Sequence, residues 1–179
     1  MLEKDNAVLV VIDIQGKLAT LMHHRGTLFQ NAVRMIQGAG VLGIPIIWTE
    51  QLPDKLGETS PEIKAALKGE QPLVKKAFSC CGDDAFLKRI VAVGRKQVLL
   101  TGIETHICVY QTAVDLIRSG YEVYVVQDAV SSRIESNYDL GIERMKDAGA
   151  ILTSVEMSLF EMLRVAEGDQ FRQIVRIVK

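Results

Sequence analysis

Short apolar runs alternate with amphipathic stretches along the whole chain. The runs predict buried strands, because most are continuously apolar, as in parallel strands covered on both faces; they lie at 7–12, 44–49, 73–76, 97–101, 123–126 and 150–152. The stretches between them repeat apolar residues at helical spacing and predict helices at 28–42, 61–67, 84–93, 105–118 and 136–147. Two further helices are expected at 155–165 and 170–178.

The boundaries between these elements indicate how they connect. Gly43, Gly120 and Gly149 each lie between a predicted helix and the strand that follows, where glycine commonly forms the left-handed cap. Repeated strand–helix units predict an α/β protein, a three-layer α/β/α doubly wound fold with a mostly parallel six-stranded sheet. The apolar stripe of the last helix packs on the sheet or makes an oligomer contact; it contains Phe171, Ile174, Val175 and Val178.

Composition narrows the class of protein. The 179 residues, 48% of them hydrophobic, fit a single domain spanning 1–179. The net charge of −1 offers little attraction for nucleic acid or an anionic membrane, so neither is expected as a partner. No apolar stretch is long enough to cross a bilayer, and the first residues lack the pattern of a secretory signal. The three cysteines form no disulfide framework, and we expect a cytoplasmic protein.

Three residue types that carry chemistry follow predicted strands. Asp13 ends the first strand, Lys75 ends the third, and Cys108 follows the fourth in the first turn of a predicted helix. Functional groups gather at the carboxyl ends of strands in doubly wound sheets, and a carboxylate, a cation and a thiol suit a cysteine hydrolase. The helix start is expected to stabilise the thiolate of Cys108. Each residue taken singly has a plainer explanation. Asp13 could cap the next turn, Lys75 could be a solvated surface charge, and Cys108 could be a small buried residue.

The longest stretch without a predicted element covers residues 51–59. It follows a strand end, on the side where such sheets bind ligands. It is therefore either a lid or pocket wall, or a plain surface loop.

Four motifs together resemble the isochorismatase-like cysteine hydrolases. They are DIQ at 13–15 after an apolar run, KKAFS at 75–79, TGIETHIC at 101–108 and VVQDAVSSR at 125–133. The combination is most similar to the short branch called isochorismatase domain-containing proteins. The resemblance implies a homo-oligomeric hydrolase that acts on a small-molecule substrate.

The resemblance implies a role for each of the three chemical residues. Cys108 would be the nucleophile, Asp13 the general base, and Lys75 the cation that holds both in place. Lys76 is the neighbouring candidate for the cation, but the spacing to Phe78 favours Lys75.

The family also carries a cis peptide bond, expected here between Ile103 and Glu104. Its effect would be to direct the backbone N–H groups of Glu104 and Cys108 at one point. Two such donors would form an oxyanion hole.

The resemblance also suggests what lines the pocket and what is missing from it. Related nicotinamidases bind a metal through histidines after the second strand, but residues 48–53 contain no histidine, so we expect neither a metal nor another cofactor. The three histidines of the chain, at 23, 24 and 106, show no metal-ligand spacing. The expected substrate contacts are Gln15, Trp48, Phe78 and Glu104; for Trp48 and Phe78, core packing is an equal alternative.

The leading prediction is a metal-independent hydrolase of a small amide or related C–N bond, acting through a thioester on Cys108. A catalytically idle scaffold that keeps the fold is one alternative. A thiol redox sensor, with Cys80 or Cys81 as the partner of Cys108, is another.

Overall fold

Six parallel strands form the central sheet in the computed structural model, which describes residues 1–67, 69 and 71–179. They lie side by side in the order β3-β2-β1-β4-β5-β6. Their bounds are β1 Ala7–Ile12, β2 Ile46–Gln51, β3 Leu73–Lys75, β4 Gln97–Ile103, β5 Glu122–Ser131 and β6 Ile151–Thr153. Strand order reverses beside β1, which lies between β2 and β4, so the carboxyl ends of these strands border the crevice where doubly wound sheets bind ligands.

Helices cover both faces of the sheet and confirm the predicted α/β class. In the part of the chain that the structure describes, they are α1 Gly16–Thr20, α2 Arg25–Leu42, α3 Pro53–Leu56, α4 Pro61–Ala66, α5 Asp84–Val93, α6 Tyr110–Arg118, α7 Glu135–Asp147, α8 Val155–Leu163 and α9 Gly168–Val178. A short 3₁₀ turn lies at Cys80–Gly82 and a π-helical turn at Thr105–Val109. No helix among the described residues is both long and apolar enough to cross a membrane.

The central strand β1 is apolar throughout because it contributes to two cores. In β1, Leu9 and Val11 belong to the core beneath α2 and α8, whereas Val8 and Val10 belong to the core beneath α5 and α6. Successive side chains of a strand point to opposite faces, so a central parallel strand buries all of them. Every residue of β1 is accordingly buried.

The last helix packs on the body of the fold. Ile174 of α9 is fully buried in the core that it shares with α2, and the side-chain amide of Gln170 donates a hydrogen bond to the carbonyl of Val41 at 2.9 Å. The apolar stripe of the last helix therefore packs within the chain, which is the first of the two alternatives. It packs against α2 and not directly on the sheet.

Several element boundaries differ from those that the sequence predicts. The second strand runs to Gln51 instead of 49, and the fifth runs to Ser131 because its polar Gln127-Asp128 pair stays within the strand. The predicted helix at 105–118 begins as the π-helical turn, and only its second part is α6. The segment 51–59 contains the short helix α3, which the sequence pattern does not predict.

Candidate active site

Asp13 and Lys75 form a buried ion pair at the carboxyl edge of the sheet. The Asp13 Oδ2 to Lys75 Nζ distance is 2.6 Å, and both side chains are almost completely shielded from solvent. The ammonium group also donates to the carbonyl oxygens of Ala77 at 3.1 Å and Phe78 at 3.0 Å. Lys76, the neighbouring candidate, is exposed, because adjacent side chains point in different directions at the end of β3.

The backbone holds Asp13 in an unusual conformation. Its φ is 50°, in the left-handed region that aspartate tolerates better than most residues. Thr49 of β2 donates a hydrogen bond from Oγ1 to Asp13 Oδ1 at 2.7 Å. On the other side, a Cβ added to Gly102 would lie 2.1 Å from the carbonyl oxygen of Ile12. Glycine at position 102 therefore allows β4 to approach β1 just before Asp13.

Cys108 lies in the π-helical turn that follows β4 and is 6% exposed. Its thiol donates to Gln51 Oε1 at 3.7 Å, a length suited to sulfur, and it lies close enough to Asp13 and Lys75 to feel both of their charges. Helix α7 packs closely behind this turn, since a Cβ added to Gly141 would lie 2.9 Å from the backbone nitrogen of His106. The structure thus brings the sulfur, the carboxylate and the ammonium group into one cluster.

The resting state of Cys108 is a thiol. Burial raises the pKa of Cys108 to about 12, and the charge of Asp13 contributes to this rise, while Lys75 acts in the opposite direction. The expectation that the helix start stabilises a thiolate is therefore wrong for this site. The turn is π-helical and the sulfur is largely shielded from water, so desolvation of the anion outweighs the favourable backbone dipoles.

Lys75 stays charged in spite of its burial. Burial by itself lowers the pKa of Lys75, but the negative charge of the adjacent Asp13 raises that pKa above the usual value. The cluster at neutral pH consequently contains an ammonium–carboxylate pair beside a neutral thiol.

A cavity of about 70 Å³ opens onto this cluster. Asp13 and Cys108 lie at its base, and its remaining lining residues are Gln15, Leu18, Gln51, Leu56, Phe78, Ile103, Glu104 and Ile107. Leu56 comes from α3, so the segment 51–59 contributes to the pocket wall. Most of the lining is apolar, and the polar groups converge at the base, as is usual for small-molecule sites.

Gln15 and Gln51 are buried side chains of the cavity lining, and hydrogen bonds join them. The Gln15 side chain accepts from the backbone N–H of Gln51 at 2.6 Å and donates to the carbonyls of Gln51 at 3.0 Å and Gly57 at 2.6 Å. The backbone thus engages both ends of the Gln15 amide, which fixes the segment that follows β2. The sequence pattern misses Gln51, because the predicted strand ends two residues too early.

The other expected pocket residues lie in different environments. Phe78 is 54% exposed at the cavity, where an aromatic face is available to a ligand. Trp48 does not line this cavity. It is buried in the core on the opposite face of the sheet, so the substrate contact expected for it is wrong and the alternative of core packing is what the structure shows. The alternation of β2 places Thr49 and Gln51 on the side of the cavity and Trp48 on the other.

Glu104 also lines the cavity, and the peptide bond between Ile103 and Glu104 is cis, at the position that the family resemblance implies. The carboxylate of Glu104 is engaged by Arg133. It accepts hydrogen bonds from the backbone N–H of Arg133 at 3.0 Å and from its Nε at 3.1 Å. Because these bonds occupy the carboxylate, a ligand contact of Glu104 would involve its backbone.

The two adjacent cysteines differ from each other. Cys80 is fully buried near Thr49 and Lys75, and burial raises its pKa to about 12. Cys81 is half-buried, and burial raises its pKa to about 11. All three cysteines of the chain are unpaired.

The fold and the site define the class of protein, and comparison with known proteins then gives the family. The class is an α/β protein whose site lies at the carboxyl edge of a parallel sheet. The family model described as "Isochorismatase domain" matches residues 7–157. The chain belongs to the isochorismatase family.

Relatives and solved structures agree with this assignment. Isochorismatase domain-containing protein 2A of Mus musculus is 36% identical over 98% of this chain and 84% of its own length. The structure of the MAR1 ribonuclease from Caenorhabditis elegans is 34% identical with a TM-score of 0.92, over 99% of this chain and 91% of that chain. The YcaC gene product of Escherichia coli, described as an octameric hydrolase of unknown specificity, is 25% identical with a TM-score of 0.92, over 98% of this chain and 88% of that chain. These findings confirm the predicted resemblance.

Proposed function

We propose that this protein is a metal-independent cysteine hydrolase that cleaves a small amide or a related C–N bond. The observation that supports this most is the cluster of Asp13, Lys75 and Cys108, in which the carboxylate and the thiol line one cavity and the ammonium group pairs with the carboxylate behind it. A thiol beside a carboxylate that can take its proton is the arrangement that nucleophilic catalysis needs.

In the first half of the proposed reaction, Cys108 Sγ attacks the substrate carbonyl carbon while Asp13 takes the thiol proton. The carbonyl π pair moves onto oxygen, which the backbone N–H groups of Glu104 and Cys108 would stabilise. When the tetrahedral intermediate collapses, the C–N bond breaks and Asp13 returns the proton to the leaving nitrogen. An amine or ammonia departs, and a thioester remains on Cys108.

In the second half, Asp13 takes a proton from water, which attacks the thioester carbonyl. Collapse of the second intermediate breaks the C–S bond, and the sulfur regains the proton from Asp13. Lys75 remains positively charged throughout and stabilises the carboxylate form of Asp13 between the two halves. The high pKa of the Cys108 thiol requires such a base, because free thiolate would be scarce at neutral pH.

The cavity favours a small substrate. Its volume of about 70 Å³ suits a few heavy atoms beyond the reacting group, and the exposed Phe78 would cover one face of the ligand. The relative from Caenorhabditis elegans is called a ribonuclease. For this chain, the net charge of −1 and the narrow cavity favour a small molecule over a polynucleotide.

Assembly and compartment belong to the same proposal. The octameric state described for the YcaC gene product supports a homo-oligomer here. Three unpaired cysteines, one of them half-buried, suit the reducing conditions of a cytoplasm. The absence of histidine from residues 48–53 supports chemistry without a metal at this cavity.

The two alternative functions have weaker support. A redox sensor needs a reactive thiolate, but burial raises the pKa values of Cys108, Cys80 and Cys81 to about 11 or 12. An idle scaffold would not need a buried ion pair between Lys75 and Asp13. Removing two charges from water costs free energy, which the attraction between them offsets only when the geometry is favourable.

A substrate panel tests the proposal. We expect ammonia or amine release from at least one compound in a series of small amides, and loss of at least about a thousand-fold in kcat/KM on Cys108→Ala, since a covalent nucleophile is removed. Cys81→Ala is the matched control and should keep its activity within a few-fold. Release that persists in Cys108→Ala, or cleavage of RNA oligonucleotides with no amide turnover, would contradict the assignment.

A further inference from the structure

A second cavity lies at the same edge of the sheet, beyond the end of β5. Its volume is about 150 Å³. Among the described residues, it shares no lining residue with the cavity at Cys108. Its lining contains His23, His24, Asp128 and Glu135, together with Thr27, Leu28, Gln127, Val130, Ser131 and Tyr138.

Three side chains of this cavity converge on a common point. One ligand-type atom from each of His23, His24 and Glu135 lies within 4.8 Å of the other two. His23 Nε2 and Glu135 Oε1 are 3.3 Å apart, which is about the separation of two ligand atoms in a tetrahedral site with bonds of about 2.0–2.1 Å. The two imidazole rings lie with centroids 3.9 Å apart at an angle of 58°.

The ring nitrogen of His23 nearest to Glu135 has no hydrogen-bond partner among the described residues. His23 Nε2 is shielded from solvent and forms no hydrogen bond with any of the described residues, although Glu135 is close. A shielded polar atom without a hydrogen bond is unfavourable, and a bound cation would remove that cost.

Backbone hydrogen bonds hold the segment that contains the two histidines. The N–H of His23 donates to the carbonyl of Ser132 at 2.9 Å, and Ser131 Oγ donates to the carbonyl of His23 at 2.6 Å. His24, directly before α2, has a φ of 49°, in the left-handed region that histidine adopts infrequently. The segment before α2 is thus anchored to the end of β5, beside the start of α7, which provides Glu135.

The charges around this point favour a cation. Glu135 and Asp128 are the acidic groups of the cavity lining, which contains no lysine or arginine in the part of the chain that the structure describes. Arg25, the residue after His24, extends over the ring of Phe29 instead. Neutral imidazole nitrogens with one carboxylate oxygen are a ligand set that suits zinc and neighbouring divalent transition metals.

We propose that His23, His24 and Glu135 bind one divalent transition-metal ion of the zinc type. The three protein ligands leave a fourth coordination position that faces the cavity and is open to water or a small ligand. Histidine spacing in the sequence gives no sign of this site, because Glu135 lies more than a hundred residues further along the chain.

Titration calorimetry with zinc chloride on the full-length protein tests the proposal. We expect one ion per chain, and affinity weaker by about ten-fold or more in His24→Ala and in Glu135→Gln, because each removes a ligand. Glu143→Gln is the matched control, since Glu143 is an exposed glutamate of the same helix. Both altered side chains of the test variants are exposed, and circular dichroism checks that the fold is retained.

Cobalt(II) absorption shows which side chains bind the ion. We expect visible d–d bands without a near-ultraviolet thiolate band, and loss of the visible bands in His24→Ala. A thiolate-to-cobalt band, zinc binding that is unchanged in both variants, or no zinc binding by the wild-type protein would overturn the proposal.

Discussion

Exchange of Asp13 for asparagine is expected to make the Cys108 thiol more acidic and to stop hydrolysis at the same time. The charge of Asp13 raises the pKa of Cys108, and the charge of Lys75 lowers it. Asparagine removes the first effect and leaves the second, so the pKa of the thiol should fall from about 12. A larger fraction of Cys108 is then thiolate at any pH below that value.

Turnover should nevertheless decrease, because asparagine cannot accept the thiol proton or activate water. General bases commonly contribute about 10²–10⁴-fold, and we expect a loss of kcat in that range for amide hydrolysis. Activity would therefore fall while the reactivity of the thiol rises. This combination would show that Asp13 is needed to transfer protons and not only to set how much of Cys108 is thiolate.

Alkylation by iodoacetamide, followed by peptide mass spectrometry, measures the thiol directly. At pH 8, Cys108 should react faster in Asp13→Asn than in the wild-type protein. A Cys81→Ser background removes the half-buried neighbour in both proteins. Asp5→Asn, at an exposed aspartate, is the control for the substitution itself. Hydrolysis by Asp13→Asn within a few-fold of the wild-type rate would exclude Asp13 as the base.

Exchange of Lys75 for methionine is expected to destabilise the fold by about 3–5 kcal/mol, because it leaves the buried carboxylate of Asp13 without its partner. The double variant Asp13→Asn/Lys75→Met should recover most of this loss, since neither charge of the buried pair then remains. Hydrolysis should be lost in both variants. The structure therefore predicts that stability and activity respond differently to the second substitution.

Urea unfolding of the two single variants, the double variant and the wild-type protein measures this coupling. Lys76→Met is the matched control, because Lys76 is exposed and next to Lys75 in sequence. It should change the free energy of unfolding by less than about 0.5 kcal/mol. Equal losses in Lys75→Met and Lys76→Met would show that the ion pair does not contribute as the geometry implies.

Much of the fold follows from the sequence because β1 is continuously apolar, β4 has an apolar centre, and each is followed by a polar turn. Parallel strands end at one edge of a sheet, so the strand pattern alone predicts that residues such as Asp13 and Lys75 lie near one another. Strand alternation implies that only one of Lys75 and Lys76 can enter the pocket, and the spacing to Phe78 in the family motif favours Lys75.

Other features depend on details that the pattern does not contain. The pattern misses Gln51 because β2 continues two residues beyond its apolar run. It also leaves Trp48 open between the pocket and the core, and the alternation along β2 places it in the core. The protonation of Cys108 depends on burial, which arises only from tertiary packing. The convergence of His23 with Glu135 depends on contacts between distant segments.

The most direct test of the proposed chemistry is intact-protein mass spectrometry of wild-type enzyme that is acid-quenched during turnover of an amide from the panel. We predict a mass increase equal to the acyl group, located on the peptide that contains Cys108 and released by neutral hydroxylamine, as a thioester requires. The adduct should be absent in Cys108→Ser. Turnover with no acylated enzyme at any quench time, or an adduct on another residue, would contradict the account.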